Sequence, residues 1–399
     1  MAETERLHLR SIGEVLDDNR GVGPGFDFLR VALAFGIVVW HAPQIANGSG
    51  LPNITRFIWF PNYGMLVMFF ALSGFLITGS AQRLGLRDFL INRGLRIFPA
   101  LFLEVTLSAL ILGPIFTSLS LHTYFTRLQT YHYFANIVGD VQFVLPGVFD
   151  KNPGYYVNGS LWTIPYELGC YAIMSTFIVF GMLRKPAVVL VISAVYMVAG
   201  LVLSQCAFDR HNIGGALVFN MATGDGARLL VSFMLGIAAY LYRRSIIYDV
   251  RIFSGAVALC VIVAVIGPAP WLTPTVLNVL LCPPLVYMTA FVGATRMPKL
   301  PLFGRGDYSY GIYLYGMPIQ QAVRAQFPFT TTAVSNLLFA VPLITGFAMF
   351  SWHVIEKPIL RSRKKFSFVA RVRGVEGPAE GSTSLNKIEE IPVPAVSAP

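Results

Sequence analysis

Apolar residues run along this chain in stretches too long and too continuous to be the single face of a soluble helix. Short segments carrying most of the charge separate them. A membrane-crossing helix needs about 20 mostly apolar residues. Ten stretches fit or approach that pattern: 26–46, 60–80, 97–119, 161–181, 187–206, 228–243, 252–267, 272–295, 308–327 and 332–356. Glycine and proline interrupt several of them, which spans tolerate where neighbouring helices satisfy the freed backbone groups. The pattern predicts an all-α fold, a polytopic transmembrane helix bundle of about ten spans around a polar cavity. Residues 1–25 form a polar N-terminal segment, 26–360 the membrane-embedded domain, and 361–399 a tail that is basic, then Pro/Ser/Glu-rich and disordered. The first apolar run is followed by no A-x-A-type cleavage site and reads as a retained helix.

Composition sharpens this picture. Of 399 residues, 55% are hydrophobic and only 13% charged. That is half the roughly 25% charged share of a soluble domain, and it excludes both an ordinary cytosolic enzyme and disorder. The net charge of +10 invites a nucleic-acid reading, so the placement of the charge decides. With both termini cytoplasmic, the inner segments hold 22 Lys and Arg residues and the outer ones 6. That asymmetry follows the positive-inside rule and sets the basic residues against an anionic inner leaflet. No nucleic acid is required. The expected location is a cell membrane, the inner membrane of a bacterium, with membrane lipids as partners. Two further segments are not counted as spans. Residues 133–149 are apolar but broken by Asp140, two glycines and a proline, and read as re-entrant or interfacial; 211–223 is too short. The loop from about 120 to 160 then becomes the largest outward surface. The cysteines (170, 206, 260 and 282) lie in apolar stretches without CxxC spacing, so neither a disulfide framework nor a metal site is expected.

Ionisable residues inside a span cost about 2.5–3.5 kcal/mol each on insertion scales, which makes them functional candidates. Arg30 and His41 share one face of the first span, eleven residues and about 16 Å apart. A snorkelling arginine and a lone interfacial histidine are the plain alternative. Arg93 and Arg96, at i and i+3 before Pro99, suit phosphate, or serve simply as inner anchors. Glu167 enters the fourth span from outside, and Glu104 lies in the third. Ser73 beside Gly74 lacks the Gly-x-Ser-x-Gly frame of a nucleophile elbow and reads as close helix packing. The tyrosine-rich 307–316 supplies hydroxyls to a cavity or an aromatic belt at the interface. Three N-x-S/T sequons, at Asn47, Asn53 and Asn158, fall on the outer side.

Taken in order, these segments resemble the acyltransferase-3 family of integral membrane O-acyltransferases from about residue 24 to 360. The markers are Arg30-x10-His41, the FFALSGFL segment, Arg93-x-x-Arg96 with Pro99, Ser160-Leu161-Trp162 with Glu167, Ser309-Tyr310 and Glu356. The resemblance implies transfer of an acyl group, commonly acetyl from acetyl-CoA, to a hydroxyl of a cell-surface or lipid-linked carbohydrate. Many members carry a histidine where this chain has Gly316. On this reading Arg30, Arg93 and Arg96 hold the acyl-CoA phosphates, His41 is the general base, Glu167 orients it, and Trp162 and Tyr310 contact substrate. No cofactor is permanently bound. A proton-coupled transporter or exporter using the same His, Glu and Arg residues is the rival.

Overall fold

The computed structural model describes residues 9–19, 21, 23–48, 59–205, 224–266, 274–298 and 306–366. The tail beyond Phe366, the 211–223 segment and the Asn53 sequon lie outside them. The principal helices are α1 (Ile12–Asp18), α2 (Phe26–Asn47), α3 (Trp59–Ala81), α4 (Leu86–Leu107), α5 (Ile164–Val179), α6 (Pro186–Gln205), α7 (Gly224–Leu241), α8 (Val250–Ile266), α9 (Cys282–Ala294), α10 (Ser309–Gln326) and α11 (Ala333–Phe350). No strand occurs among the described residues. Each of the ten predicted apolar stretches falls on one of α2–α11. Among the described residues five helical segments are long and apolar enough to cross a membrane: Phe26–Asn47, Tyr63–Ala81, Leu86–Phe116, Pro186–Leu203 and Ala333–Ser362. Gly226–Leu241, Val250–Ile266 and Cys282–Ala294 are shorter apolar helices.

The closest packing is between α3 and α7, and glycine makes it achievable. A Cβ on Gly74 would collide with the Phe233 carbonyl, and one on Gly236 with the Ala71 carbonyl. Small residues that bring two backbones together are the usual device for joining helices in lipid, where apolar burial supplies little drive. The LSG segment is therefore a packing surface, as the sequence suggested. On the opposite side, α10 packs against both α2 and α11. Val191, Val195, Val198 and Val202 on α6, with Leu259, Ile262 and Ile266 on α8, turn large apolar side chains outward. That outward apolar face suits a hydrocarbon surround.

One boundary differs from the sequence reading in a way that matters. The third stretch, expected from 97, is helical from Leu86. Arg93 and Arg96, expected on a helical side just ahead of that stretch, thus belong to the same continuous helix. A hydropathy window penalises the arginines singly, whereas the fold turns both into one cavity and gives Arg96 two acidic partners. Two π-helical turns, Ser108–Leu112 beyond α4 and Ser351–Glu356 beyond α11, widen the helices next to the buried acids Glu104 and Glu356. Such bulges occur mostly as single turns and frequently near functional sites.

Residues 133–149 form no spanning helix: a 3-10 turn over Tyr133–Val138 gives way to irregular chain. The chain returns to the bundle through a second 3-10 turn, Gly159–Thr163, that feeds α5. Asn158, Ser160 and Leu161 are already fully buried at that return.

Candidate active site

Helices α2, α3, α4, α5 and α10 enclose a cavity of about 160 Å³. Arg30, Arg93 and Arg96 line it together with Ser73, Glu167, Cys170, Tyr171, Asp307, Tyr310 and Tyr313. The fold therefore gathers all three arginines and Glu167 at one site.

The arginines are not equivalent. Arg96 is fully engaged: its guanidinium lies 2.8 Å from Asp307 and 2.9 Å from Glu356. Its Cζ also lies over the rings of Tyr310 and Trp352, 5.5 and 5.4 Å from their centroids. A planar, delocalised cation is the residue that fits such a double carboxylate and double ring setting. Arg30 shares Asp307 at 3.0 Å and reaches Asp27 at 3.7 Å. Asp307 sits just before α10. Burial would raise its carboxyl, but Arg96, Arg30 and the Ser309 hydrogen bonds prevail and draw it down to about 2, so it is always charged near neutrality. Arg93 has no ion pair among the described residues, and its buried Nε has no hydrogen-bond partner there. Of the three cavity arginines it is the one with no carboxylate at ion-pair distance among the described residues.

Glu167 accepts a hydrogen bond from the Tyr171 hydroxyl at 2.8 Å. It lines the same cavity as the arginines, and no hydrogen bond joins it to His41 among the described residues. The depth expected from the sequence placed Glu167 level with His41. The 3-10 turn Gly159–Thr163 carries the chain into the bundle before α5 begins, so Glu167, in the first turn of α5, starts deep and meets the Arg93 side. His41 lies on α2 outside the cavity lining, and its buried Nδ1 has no partner among the described residues.

Tyr310 lines the cavity and donates to the Ile97 carbonyl at 3.3 Å. Trp162 does not line it; its ring stands edge-on to Tyr166 at 5.6 Å. At the far end of the cavity Thr163 and Tyr313 join hydroxyl to hydroxyl at 2.7 Å, and Tyr313 donates to the Ser160 carbonyl at 2.8 Å.

Three participants went unassigned in the sequence. Asp307 was visible only as the first letter of a tyrosine-rich run, and Tyr171 was one apolar-stretch tyrosine among many. Asn158 read as a glycosylation sequon, but it is fully buried. Its Nδ2 donates to Glu104 Oε1 and to the Leu314 carbonyl, each at 2.9 Å. Glu104 Oε1 also accepts from Ser108 at 2.9 Å, while Oε2 has no partner among the described residues. Among those residues no cluster of His, Cys, Asp and Glu is arranged to hold a metal.

A helical bundle with an arginine-lined internal cavity matches a known class. Residues 24–354 match the model of the acyltransferase-3 family, described as an acyltransferase domain, and the chain belongs to that family; it is an acyltransferase. Over 349 residues it is 28% identical to a protein of Shigella phage Sf6 named O-acetyl transferase, with 86% of this chain and 98% of that protein covered. Nodulation protein 10 of Rhizobium leguminosarum bv. viciae is 26% identical over 380 residues, covering 90% of this chain and 99% of that one. No solved structure matches the chain.

Proposed function

We propose that the chain moves an acetyl group from acetyl-CoA to a hydroxyl of a cell-surface or exported carbohydrate, working in a cell membrane with both termini cytoplasmic. The observation that carries the donor half is Arg93, a half-buried arginine with a buried, unpartnered Nε and no ion pair among the described residues, lining a cavity whose other two arginines are paired with carboxylates. A guanidinium so placed offers charge-assisted, bidentate bonds to a phosphate. Arg30 and Arg96 contribute mainly by fixing the wall that Arg93 stands on. The name of the phage relative supports acetyl as the group moved.

His41 is the general base of the reaction. Its imidazole removes the proton of the acceptor hydroxyl as that oxygen attacks the thioester carbonyl. The C–S bond then breaks, the acetyl oxygen ester forms, and the imidazolium returns the proton to the departing sulfur, releasing CoA as a thiol. About 16 Å of α2 separates Arg30 from His41, a distance the extended arm of the donor has to bridge. Glu167 acts on the donor side with Tyr171 rather than on the imidazole.

The test is CoA release by the purified protein in lipid nanodiscs, supplied with acetyl-CoA and surface polysaccharide from cells that lack this chain. Acceptor-dependent release of CoA, with matching ester-bound acetate on the polysaccharide, is expected. No release above a protein-free control, together with acetyl-CoA-independent proton flux in proteoliposomes, would establish a transporter instead.

A further inference from the structure

The returning segment of the long loop is held with more care than an exposed segment needs. Gln321, fully buried on α10, donates through one Nε2 to the carbonyls of Gly154 at 2.7 Å and Tyr156 at 2.8 Å. Its Oε1 and its own backbone carbonyl accept from Asn152 Nδ2 at 2.8 and 3.0 Å. Further along, Asn158 is fastened to Glu104, and the Val157 amide donates to the Phe143 carbonyl at 2.8 Å. The backbone on both sides of Tyr155 is therefore fixed by a buried amide whose polar atoms are all used, an arrangement that rigidifies rather than merely covers.

What this scaffold presents is an open aromatic ring. Tyr155 is 57% exposed, while its ring centroid lies 4.8 Å from that of Tyr156, which in turn stands 5.5 Å from Phe143. The segment also lies over the helix that carries the base. A Cβ on Gly154 would be 3.5 Å from the carbonyl oxygen of Gln44, and Gln44 is one turn beyond His41 on the same face of α2. No arginine or lysine belongs to residues 152–160.

We propose that Tyr155 is the floor of an acceptor subsite for a neutral pyranose ring, with Gln321 as the residue that positions it. The inference rests on the carbohydrate-acceptor reading above. Aromatic rings combine an apolar face with low conformational-entropy cost, and a sugar ring offers a matching face of C–H groups while its hydroxyls stay in water. A ring carried on a fixed backbone, beside the turn of α2 that follows His41, would set which hydroxyl reaches the imidazole.

The test replaces Tyr155 by Phe, Trp, Leu and Ala and Gln321 by Leu, and measures ester-bound acetate on surface polysaccharide from cells with equal membrane levels of each variant. Phe and Trp should keep at least half of the parent's acetylation. Leu and Ala should lower it about tenfold, and Gln321→Leu should spread the acetate over several ring positions in the product's NMR spectrum. Leu behaving like the parent would overturn the subsite, because Leu preserves an apolar rim anchor but no ring. Unchanged regiochemistry in Gln321→Leu would remove its positioning role. A parent that leaves no acetate on any surface carbohydrate would overturn the acceptor reading itself, a result distinct from either variant outcome.

Discussion

At the end of the bundle where α2, α4 and α10 begin or approach, the polar interior is ionic. Arg30 and Arg96 share Asp307, Glu356 completes Arg96, and Arg93 is left without an anion among the described residues. Where α2 and α10 finish, the fully buried polar groups are neutral amides: Gln320 donates to the Val38 carbonyl at 3.1 Å, Asn336 to the Gln320 carbonyl at 3.1 Å, and Gln321 to the loop, while the half-buried Arg324 spends its guanidinium on the Ala46 and Pro328 carbonyls. The imidazole of His41 is the one titratable ring beside them on α2. Charge is costly to bury and is retained where it is paired or where a charged ligand completes it. Amides are cheaper and suit hydroxyl groups, which donate and accept equally. The proposed function uses this contrast, with an anionic donor at the ionic end and an uncharged acceptor at the amide end.

The sharpest way to break this contrast is at His41. His41→Ala should lower acetyl transfer by at least two orders of magnitude, since general-base catalysis contributes about 10²–10⁴-fold. Acetyl-CoA affinity should stay near that of the parent, because His41 stands outside the donor cavity. Transfer rates and equilibrium binding of acetyl-CoA check both halves. An active His41→Ala protein would end the assignment of the base to the neutral end.

Within the ionic end, Arg96 and Arg93 should separate. Arg96→Ala leaves Asp307 without its closer cation and Glu356 without any ion-pair partner among the described residues. Removing one partner from a buried pair costs about 3–5 kcal/mol, so the denaturation midpoint in detergent should fall by several degrees or the protein should fail to accumulate. Arg93→Ala should fold normally. Losing charge-assisted bonds of about 1.5–3 kcal/mol should raise the KM for acetyl-CoA on the order of ten- to a hundredfold. Lys at 93 should restore only part, because a point charge does not reproduce a fork. Equal stability losses in both variants would merge the two arginines into one structural role.

How much of this was legible beforehand follows from range. The helices were legible because each is written as a local run of apolar residues, and Arg30, Arg93, Arg96 and Glu167 stood out because charge in such runs is expensive. Their partners were not legible. Asp307 meets Arg96 across more than 200 residues, and nothing local distinguishes a carboxylate that will close an ion pair from one at a loop. Counting residues from a span end set Glu167 level with His41, but it could not register that the chain enters α5 through a buried 3-10 turn or that Glu167 lines the arginine cavity while His41 does not. Asn158 misled because a sequon is a three-residue pattern and burial is a property of the whole fold.

Glu104 offers the smallest and most selective perturbation of the boundary between the two ends. Its Oε1 holds Ser108 and Asn158, and so fastens the loop return to α4, while Oε2 is buried without a partner among the described residues. Glu104→Gln keeps an oxygen for both donors and replaces a titratable group by a neutral one. The midpoint of denaturation should therefore shift little, by the equivalent of less than about 1 kcal/mol. Glu104→Ala removes the acceptor and strands the Asn158 amide hydrogen that pointed to it, which should cost about 1–3 kcal/mol. Because Asn158 leads directly to Ser160 and the Thr163–Tyr313 contact at the far end of the cavity, the Ala variant should also lose transfer activity, with Gln restoring it. A Gln variant as damaged as Ala would show that the carboxyl's proton, rather than its oxygen, is what the loop return depends on.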